Sequence, residues 1–109
     1  MTALSIWATM EAREGREADA RAFLEEAHLR ISAGEPGTTS FHAIDLGGGR
    51  FAIFNTFADE AALAAHVGGP TAAWVMEQNA ELFTAPYAIE RGEIFAMKRF
   101  APAPTTADA

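Results

Sequence analysis

Cysteine is absent from the 109-residue chain, and its absence excludes several kinds of site at once. Without thiols there can be no disulfide, no thiolate metal ligand and no cysteine nucleophile. Long apolar runs are also missing, since no uninterrupted stretch approaches the roughly 20 residues of a membrane-spanning helix. The N-terminal residues MTALSIWATMEARE lack the basic segment and apolar run of a secretory signal. We therefore expect a cytoplasmic protein with no membrane partner.

Basic residues are few, with eight Lys and Arg against fifteen Asp and Glu, and the net charge is −7. This charge repels a phosphate backbone on average, so nucleic acid is not an expected partner. The three histidines, His28, His42 and His66, show no local metal-ligand spacing. The segment GGGR, from Gly47, lies between two predicted strands and lacks the spacing of a dinucleotide-binding loop. We expect no metal and no other cofactor.

Four segments are predicted to be strands. The first shows clear alternation, with Leu4, Ile6, Ala8 and Met10 on one face. The glycines of GGGR predict a hairpin turn between the second and third strands, because glycine tolerates positive φ. The predicted strand segments are ALSIWATME from Ala3, GTTSFHAIDL from Gly37, RFAIFNTF from Arg50 and YAIERGEIFAMKRF from Tyr87, the last with a bulge at Gly92.

Helical patterns separate these strands. The first helix has a buried stripe at the i, i+3, i+4, i+7, i+11 spacing and ends at Gly34 and Pro36. Asp59 is a predicted N-cap of a second helix, EAALAAHV, and Pro70 suits the first position of a third, PTAAWVMEQNAELFT, which Pro86 closes. The stripe of the first helix consists of Ala20, Phe23, Leu24, Ala27 and Ile31.

This order of elements, βαβ followed by βαβ, predicts an α+β fold of the ferredoxin-like, split βαβ type. Such a domain has a four-stranded antiparallel sheet with helices on one face, and we assign it residues 1–99. The tail, residues 100–109, contains APAPTTADA and has no core pattern, so we expect it to be disordered.

Both faces of the predicted sheet are apolar, which does not suit a monomer. On the third strand Phe51, Ile53 and Phe57 alternate with Ala52 and Phe54. A sheet with one wet face would alternate apolar and polar residues instead. Helices cover only one face, so we expect the other to meet the same face of a second copy in a homodimer. The alternative is a flexible sheet edge with a few exposed apolar residues.

Two asparagines interrupt apolar surfaces. Asn55 shares a strand face with Ile53 and Phe57, and Asn79 falls near the centre of the apolar stripe of the third helix. A buried carboxamide without partners costs about 1–3 kcal/mol. Each asparagine can bond to backbone or trapped water, or both can line a pocket between helix and sheet and bind a polar ligand atom. Both interpretations remain open from the residues alone.

His66, Trp74 and Tyr87 are the other candidate site residues. A histidine in the last turn of a helix interacts favourably with the helix dipole and free carbonyls, and it can also accept a proton near neutral pH. Trp74 lies off the apolar stripe of its helix and is expected at a pocket mouth or a dimer contact. Tyr87 is the other large amphipathic side chain in the second half of the chain.

Three stretches resemble one known family. They are ATMEAREGREADARAFLEEA, AGEPGTTSFHAIDL with its EPG turn, and FAIFNTFADEAALAAHVGGP with its acidic cap and helix-end AH. The chain resembles the antibiotic biosynthesis monooxygenase family of dimeric α+β barrels from about Leu4 to Lys98. His66 matches the helix-end histidine of that family. Asn55 stands where many members have glutamate, and Phe57 where many have tryptophan. Thr71 replaces a second histidine of some relatives.

The resemblance implies oxidation of an electron-rich aromatic molecule, such as a hydroquinone or anthrone, by O₂ without metal or flavin. Asn55, His66 and Asn79 are then the expected catalytic residues. Phe57, Trp74 and Tyr87 are the expected substrate contacts. A haem-degrading branch of the superfamily uses a helix histidine as iron ligand, and PTAAWVMEQNAELF has none. The alternative function is a dimeric barrel that binds, or protects against, a small aromatic molecule without turning it over.

Overall fold

A computed structural model describes residues 3–98, which form one four-stranded antiparallel sheet with three helices. The strands are β1 (Ala3–Glu11), β2 (Thr38–Gly47), β3 (Arg50–Phe57) and β4 (Ala88–Ile94). The helices are α1 (Glu17–Gly34), α2 (Glu60–Val67) and α3 (Pro70–Leu82). The sheet order is β2-β3-β1-β4, so the predicted ferredoxin-like α+β fold is confirmed. The predicted disordered tail lies outside the described residues.

The hairpin between β2 and β3 follows from its glycines. Gly47, Gly48 and Gly49 have φ values of 87°, 63° and 81°, in the left-handed region that other residues rarely adopt. The Asp45 carboxylate accepts a hydrogen bond from the Gly47 N–H at 2.8 Å, which stabilises the entry to the turn. The turn sets β2 beside β3, and Phe41 of β2 thereby pairs with Asn55 of β3.

The core forms between α1, α3 and one face of β1 and β3. Ile6, Ala8 and Met10 of β1 are buried, as the alternation predicts. The predicted stripe of α1 is confirmed, because its buried residues are those five positions. Within residues 3–98, no helix is both long enough and apolar enough to cross a membrane.

Two element ends differ from the prediction. The last helix ends at Leu82 rather than near Pro86, because Phe83 forms a β-bridge with Ala12 and the Thr84 N–H donates to the Glu11 carbonyl at 2.9 Å. Backbone pairing with the end of β1 therefore replaces the next helical turn.

The fourth strand is also shorter than predicted. It ends at Ile94, which pairs with Ala3, the first residue of β1, so β1 offers no described partner to the segment that follows. The predicted bulge at Gly92 is wrong. Gly92 pairs in register with Ser5, and the Ser5 hydroxyl donates to the Gly92 carbonyl at 3.2 Å.

The sheet face opposite α1 carries Trp7 and Phe54, which pair directly across β1 and β3. We call it the open face. Trp7 is 37% exposed there, whereas the neighbouring Ile6 and Ala8 on the helix side are buried. An aromatic side chain this exposed on a strand is consistent with the predicted homodimer, which stays a prediction.

Candidate functional site

A cavity of about 150 Å³ lies between the sheet and the helices. All four strands or their flanking residues and all three helices contribute to its walls, and most of the lining side chains are aliphatic or aromatic. Its polar side chains are Asn55, His66, Thr71 and Tyr87. A concave apolar space with a few converging polar groups is the usual form of a small-molecule site.

Asn55 contributes a carboxamide to this cavity from the middle of β3. Its neighbours across the ladder are Ile6 on β1 and Phe41 on β2, so the side chain points to the helix-covered side. The residue is fully buried, and neither its Nδ2 nor its Oδ1 has a hydrogen-bond partner within the described part of the chain. No described backbone group bonds to the Asn55 carboxamide, and the carboxamide lies at the cavity wall. A ligand with one donor and one acceptor would satisfy both atoms.

His66 reaches the same cavity from the last turn of α2. The helix begins where the sequence predicts, because the Asp59 carboxylate caps it by accepting from the Ala62 N–H at 2.8 Å. The His66 Nδ1 lies 2.7 Å from Oε1 of Glu35, and the two side chains are only 13% and 12% exposed. A carboxylate oxygen accepts, so Nδ1 carries the proton. Nε2 of the neutral ring is then the atom that can take a proton.

Glu35 completes this pair and was not among the residues predicted from the sequence. It follows the last residue of α1, and its Oε1 also accepts a hydrogen bond from the Thr38 hydroxyl at 2.9 Å. One signal in the sequence could have identified it. An acidic side chain at a helix C-terminus is disfavoured by the helix dipole, so a glutamate there is a candidate for pairing with a histidine or another cationic side chain. That partner is His66.

Tyr87 lies between α3 and β4, and its ring meets Phe83 edge-on at 5.8 Å. Burial raises the pKa of Tyr87 well above its ordinary value, so the phenol stays protonated at neutral pH. Its buried hydroxyl has no hydrogen-bond partner among residues 3–98. A neutral hydroxyl at a cavity wall can donate to an oxygen of a bound molecule.

Two expected substrate contacts lie outside the cavity lining. Phe57 is fully buried in the core, and its ring centroid lies 5.1 Å from that of His66, so it packs against the imidazole. Trp74 is not among the residues that line the cavity, and a dimer contact of Trp74 stays a prediction. Its ring centroid lies 4.7 Å from that of Phe23 on α1 and 3.8 Å from the Arg30 guanidinium carbon. Its position off the apolar stripe of α3 places it against α1.

Asn79 also lies away from the cavity, which corrects the expectation that both asparagines line one pocket. Its Nδ2 donates to the Ala85 carbonyl at 3.4 Å, beyond the C-terminal end of α3. Its Oδ1 is buried without a partner in the described range. The helical periodicity gives the face of α3 on which Asn79 lies, but the cavity occupies only the N-terminal half of that face, from Thr71 to Met76.

The other two histidines lie apart from His66. The His28 ring on α1 faces Phe41 at 6.1 Å, and the His42 ring stacks on Phe54 at 5.9 Å on the open face. In the part of the chain that the structure describes, no three His, Asp or Glu side chains are grouped as metal ligands.

The fold and the cavity define a small ferredoxin-like domain with one apolar site that carries a buried carboxamide and a carboxylate–histidine pair. The chain belongs to the antibiotic biosynthesis monooxygenase family, whose model matches residues 3–78.

Solved structures support this assignment. A protein of unknown function from Nitrosomonas europaea is 40% identical, and the match covers 93% of this chain and 97% of that one with a TM-score of 0.84. A candidate antibiotic biosynthesis monooxygenase from Deinococcus radiodurans is 19% identical, with 90% and 98% coverage and a TM-score of 0.77. At that identity the likeness shows the fold alone. A comparison with functionally curated proteins finds no match.

Proposed function

We propose that this protein is a cofactor-independent monooxygenase that oxidises an electron-rich aromatic molecule of the hydroquinone or anthrone type with O₂. The observation that carries the proposal is that the Asn55 carboxamide and the His66 imidazole, paired with Glu35, line one apolar cavity. Membership of the antibiotic biosynthesis monooxygenase family supports it. We place Asn55, His66 and Tyr87 at the substrate.

The first step is removal of a proton from the substrate. His66 accepts it at Nε2, and the Glu35 carboxylate stabilises the resulting imidazolium through its hydrogen bond to Nδ1. The negative charge that develops on the substrate oxygen accepts a hydrogen bond from Asn55 Nδ2. Such donors are more effective among apolar side chains than in water, and most of the side chains that line the cavity are apolar.

The anion then reacts with O₂ without help from another oxidant. One electron passes from the anion to O₂, and the substrate radical and superoxide combine to form a C–O bond. The peroxide takes a proton from the imidazolium. The carbon that carries the peroxide then loses its hydrogen as a proton while the O–O bond breaks. One oxygen atom remains as a C=O group and the other leaves as water.

Oxygen uptake tests the proposal. Purified protein is mixed with a panel of hydroquinones and anthrones, in a chelator and with no added cofactor, and the rate is compared with that of substrate alone. Uptake above the uncatalysed rate, with one oxygen atom in the product, is the expected result. Saturable binding of these molecules with no added uptake would contradict the proposal and favour a protein that binds them without turnover.

A further inference from the structure

We infer that the molecule held in this cavity is a single ring of the catechol type, with two adjacent oxygens at Asn55 and an apolar substituent pointing to solvent between Val67, Met76 and Ile89. This inference replaces the 1,4-hydroquinone of the proposed function with its 1,2-isomer as the electron-rich aromatic substrate, and for turnover it rests on the proposed reaction with O₂. Three observations carry it: the volume of the cavity, the two free polar atoms of Asn55, and the exposure of apolar lining residues.

The cavity volume limits the number of rings. An apolar protein cavity of about 150 Å³ holds one benzene ring, and the cavity here has about that volume. Its walls include Ala8 on the sheet and Leu24 on α1, both of which are buried core residues. A tricyclic anthrone could not place all three rings inside the cavity without displacing such side chains, and close-packed cores resist overpacking at a cost of about 1–3 kcal/mol or more. The volume therefore favours a single-ring molecule over a tricyclic anthrone.

The Asn55 carboxamide selects the pattern of oxygens on that ring. Its Nδ2 can donate and its Oδ1 can accept, and the described residues supply neither atom with a partner. A catechol that has lost one proton presents an O⁻ acceptor beside an O–H donor. The O⁻ can accept from Nδ2 while the O–H donates to Oδ1. A ring with its two oxygens in meta or para positions brings only one of them to the carboxamide.

The exposed side chains of the lining mark the direction in which the cavity opens. Val67 at the end of α2, Met76 on α3 and Ile89 on β4 are 59%, 74% and 56% exposed, although all three line the cavity. We call these three residues the mouth. Asn55, by contrast, is fully buried. A ligand with its oxygens at Asn55 therefore directs its opposite end past apolar side chains, where an alkyl group gains more from burial than a polar group does.

Anaerobic binding tests the head of the ligand without any oxidation. Calorimetric titrations compare 4-propylcatechol with 4-propylresorcinol, and a tricyclic anthrone serves as the third ligand. We expect the catechol to bind at least tenfold more tightly than the resorcinol, and Asn55→Leu to remove that preference. Equal affinity for the two isomers would overturn the pairing with Asn55. Anthrone binding as tight as that of the catechol would overturn the single-ring limit.

A series from catechol to 4-butylcatechol tests the mouth. We expect the affinity to rise by up to about fourfold for each methylene group that the mouth buries. Met76→Gln should flatten this dependence on chain length. Leu29→Gln is the matched control, because Leu29 is an apolar side chain on α1 that is 59% exposed and does not line the cavity. The assignment of the mouth would be overturned if the affinity of the wild type did not depend on chain length, or if Met76→Gln kept the same dependence.

The two proposals fail in different ways. Tight anaerobic binding of alkylcatechols with no oxygen uptake would support the inferred ligand and contradict the monooxygenase. Oxygen uptake with anthrones but not with catechols would support the monooxygenase and overturn the inferred ligand.

Discussion

At the scale of single residues, Asn55 is a polar side chain in the buried core of the protein. Its carboxamide is fully buried, and both polar atoms lack a partner within the described chain. Leaving such groups unpaired costs about 1–3 kcal/mol. This cost makes sense in a residue whose partners arrive with a ligand.

We expect Asn55→Leu to raise the free energy of unfolding by about 1–3 kcal/mol, because leucine has a similar size and leaves no polar group unpaired. The same variant should lower oxygen uptake per folded molecule at least tenfold. Chemical denaturation and an oxygen electrode measure the two effects on one preparation. A destabilised variant with full activity would place Asn55 in the scaffold and not in the site.

Asn79→Leu is the comparison, since Asn79 also has a buried Oδ1 but lies outside the cavity lining. Its Nδ2 bond to Ala85 is long, at 3.4 Å, so we expect a small change in stability and wild-type oxygen uptake. A tenfold loss of uptake in this variant would restore the sequence-based assignment of Asn79 to the catalytic residues.

Tyr87 gives a prediction that follows from its pKa and needs no ligand. Burial raises that pKa, so folding favours the neutral phenol. This contribution to the free energy of unfolding is fully present below about pH 10, the pKa of tyrosine in an unfolded chain, and it is lost as the pH rises further.

Tyr87 is the only tyrosine in the chain, so phenolate absorbance reports on it alone. We expect this absorbance to appear only as the protein unfolds at alkaline pH. Titration near pH 10 with the fold intact would contradict the buried placement.

At the scale of elements, the approach of α2 to the start of β2 brings His66 to Glu35. A Cβ added at Gly37 would lie 2.6 Å from the Ala62 Cβ, which is closer than real contacts allow. Gly37 therefore permits the strand to begin directly against the helix.

We expect Gly37→Ala to lower the free energy of unfolding by about 1–3 kcal/mol, because the two elements must separate. Gly34→Ala is the matched control at the end of α1, where the added methyl group meets no described atom within 4 Å. That change should raise stability by up to about 1 kcal/mol through the unfolded chain. Thermal or urea denaturation of both variants checks this, and equal stability of the two would contradict the close approach.

Local patterns in the sequence are enough to predict most elements of this fold. The alternation in β1, the stripe of α1 and the Asp59 cap each depend on residues near one another in the chain, and each is found as predicted. The ends of α3 and β4 depend on distant partners. Ala12 bridges to Phe83, and Ala3 is the last described partner available to β4.

For the site as well, local patterns predict single residues but not contacts between distant parts of the chain. Asn55 and His66 could be singled out because each interrupts or ends a clear local pattern. Glu35 could not be paired with His66 from spacing, since 31 residues separate them and only the packing of α2 on β2 brings them together. The packing of Trp74 on Phe23 could not be predicted either, because helical periodicity gives the direction of Trp74 but not the position of α1 beside it.

At the scale of the whole molecule, the open face predicts a homodimer. Sedimentation at micromolar concentration should give twice the 11.6 kDa mass of one chain. Trp7→Lys should shift the population toward monomer, because it places a charge among apolar side chains of the open face. Leu29→Lys, an exposed apolar position on α1, should leave the mass unchanged. A wild type that sediments at the mass of one chain would contradict the prediction.

We propose that the cavity oxidises its ligand with O₂ through His66. The decisive measurement is oxygen uptake in the presence of a chelator by the wild type and two histidine variants. We expect the wild type to show a rate above background. His66→Gln should lower that rate at least tenfold, and His28→Gln, whose ring lies on α1 against Phe41, should match the wild type. Equal rates for His66→Gln and the wild type, or no uptake by any of the three proteins, would contradict a role for His66 in oxidation.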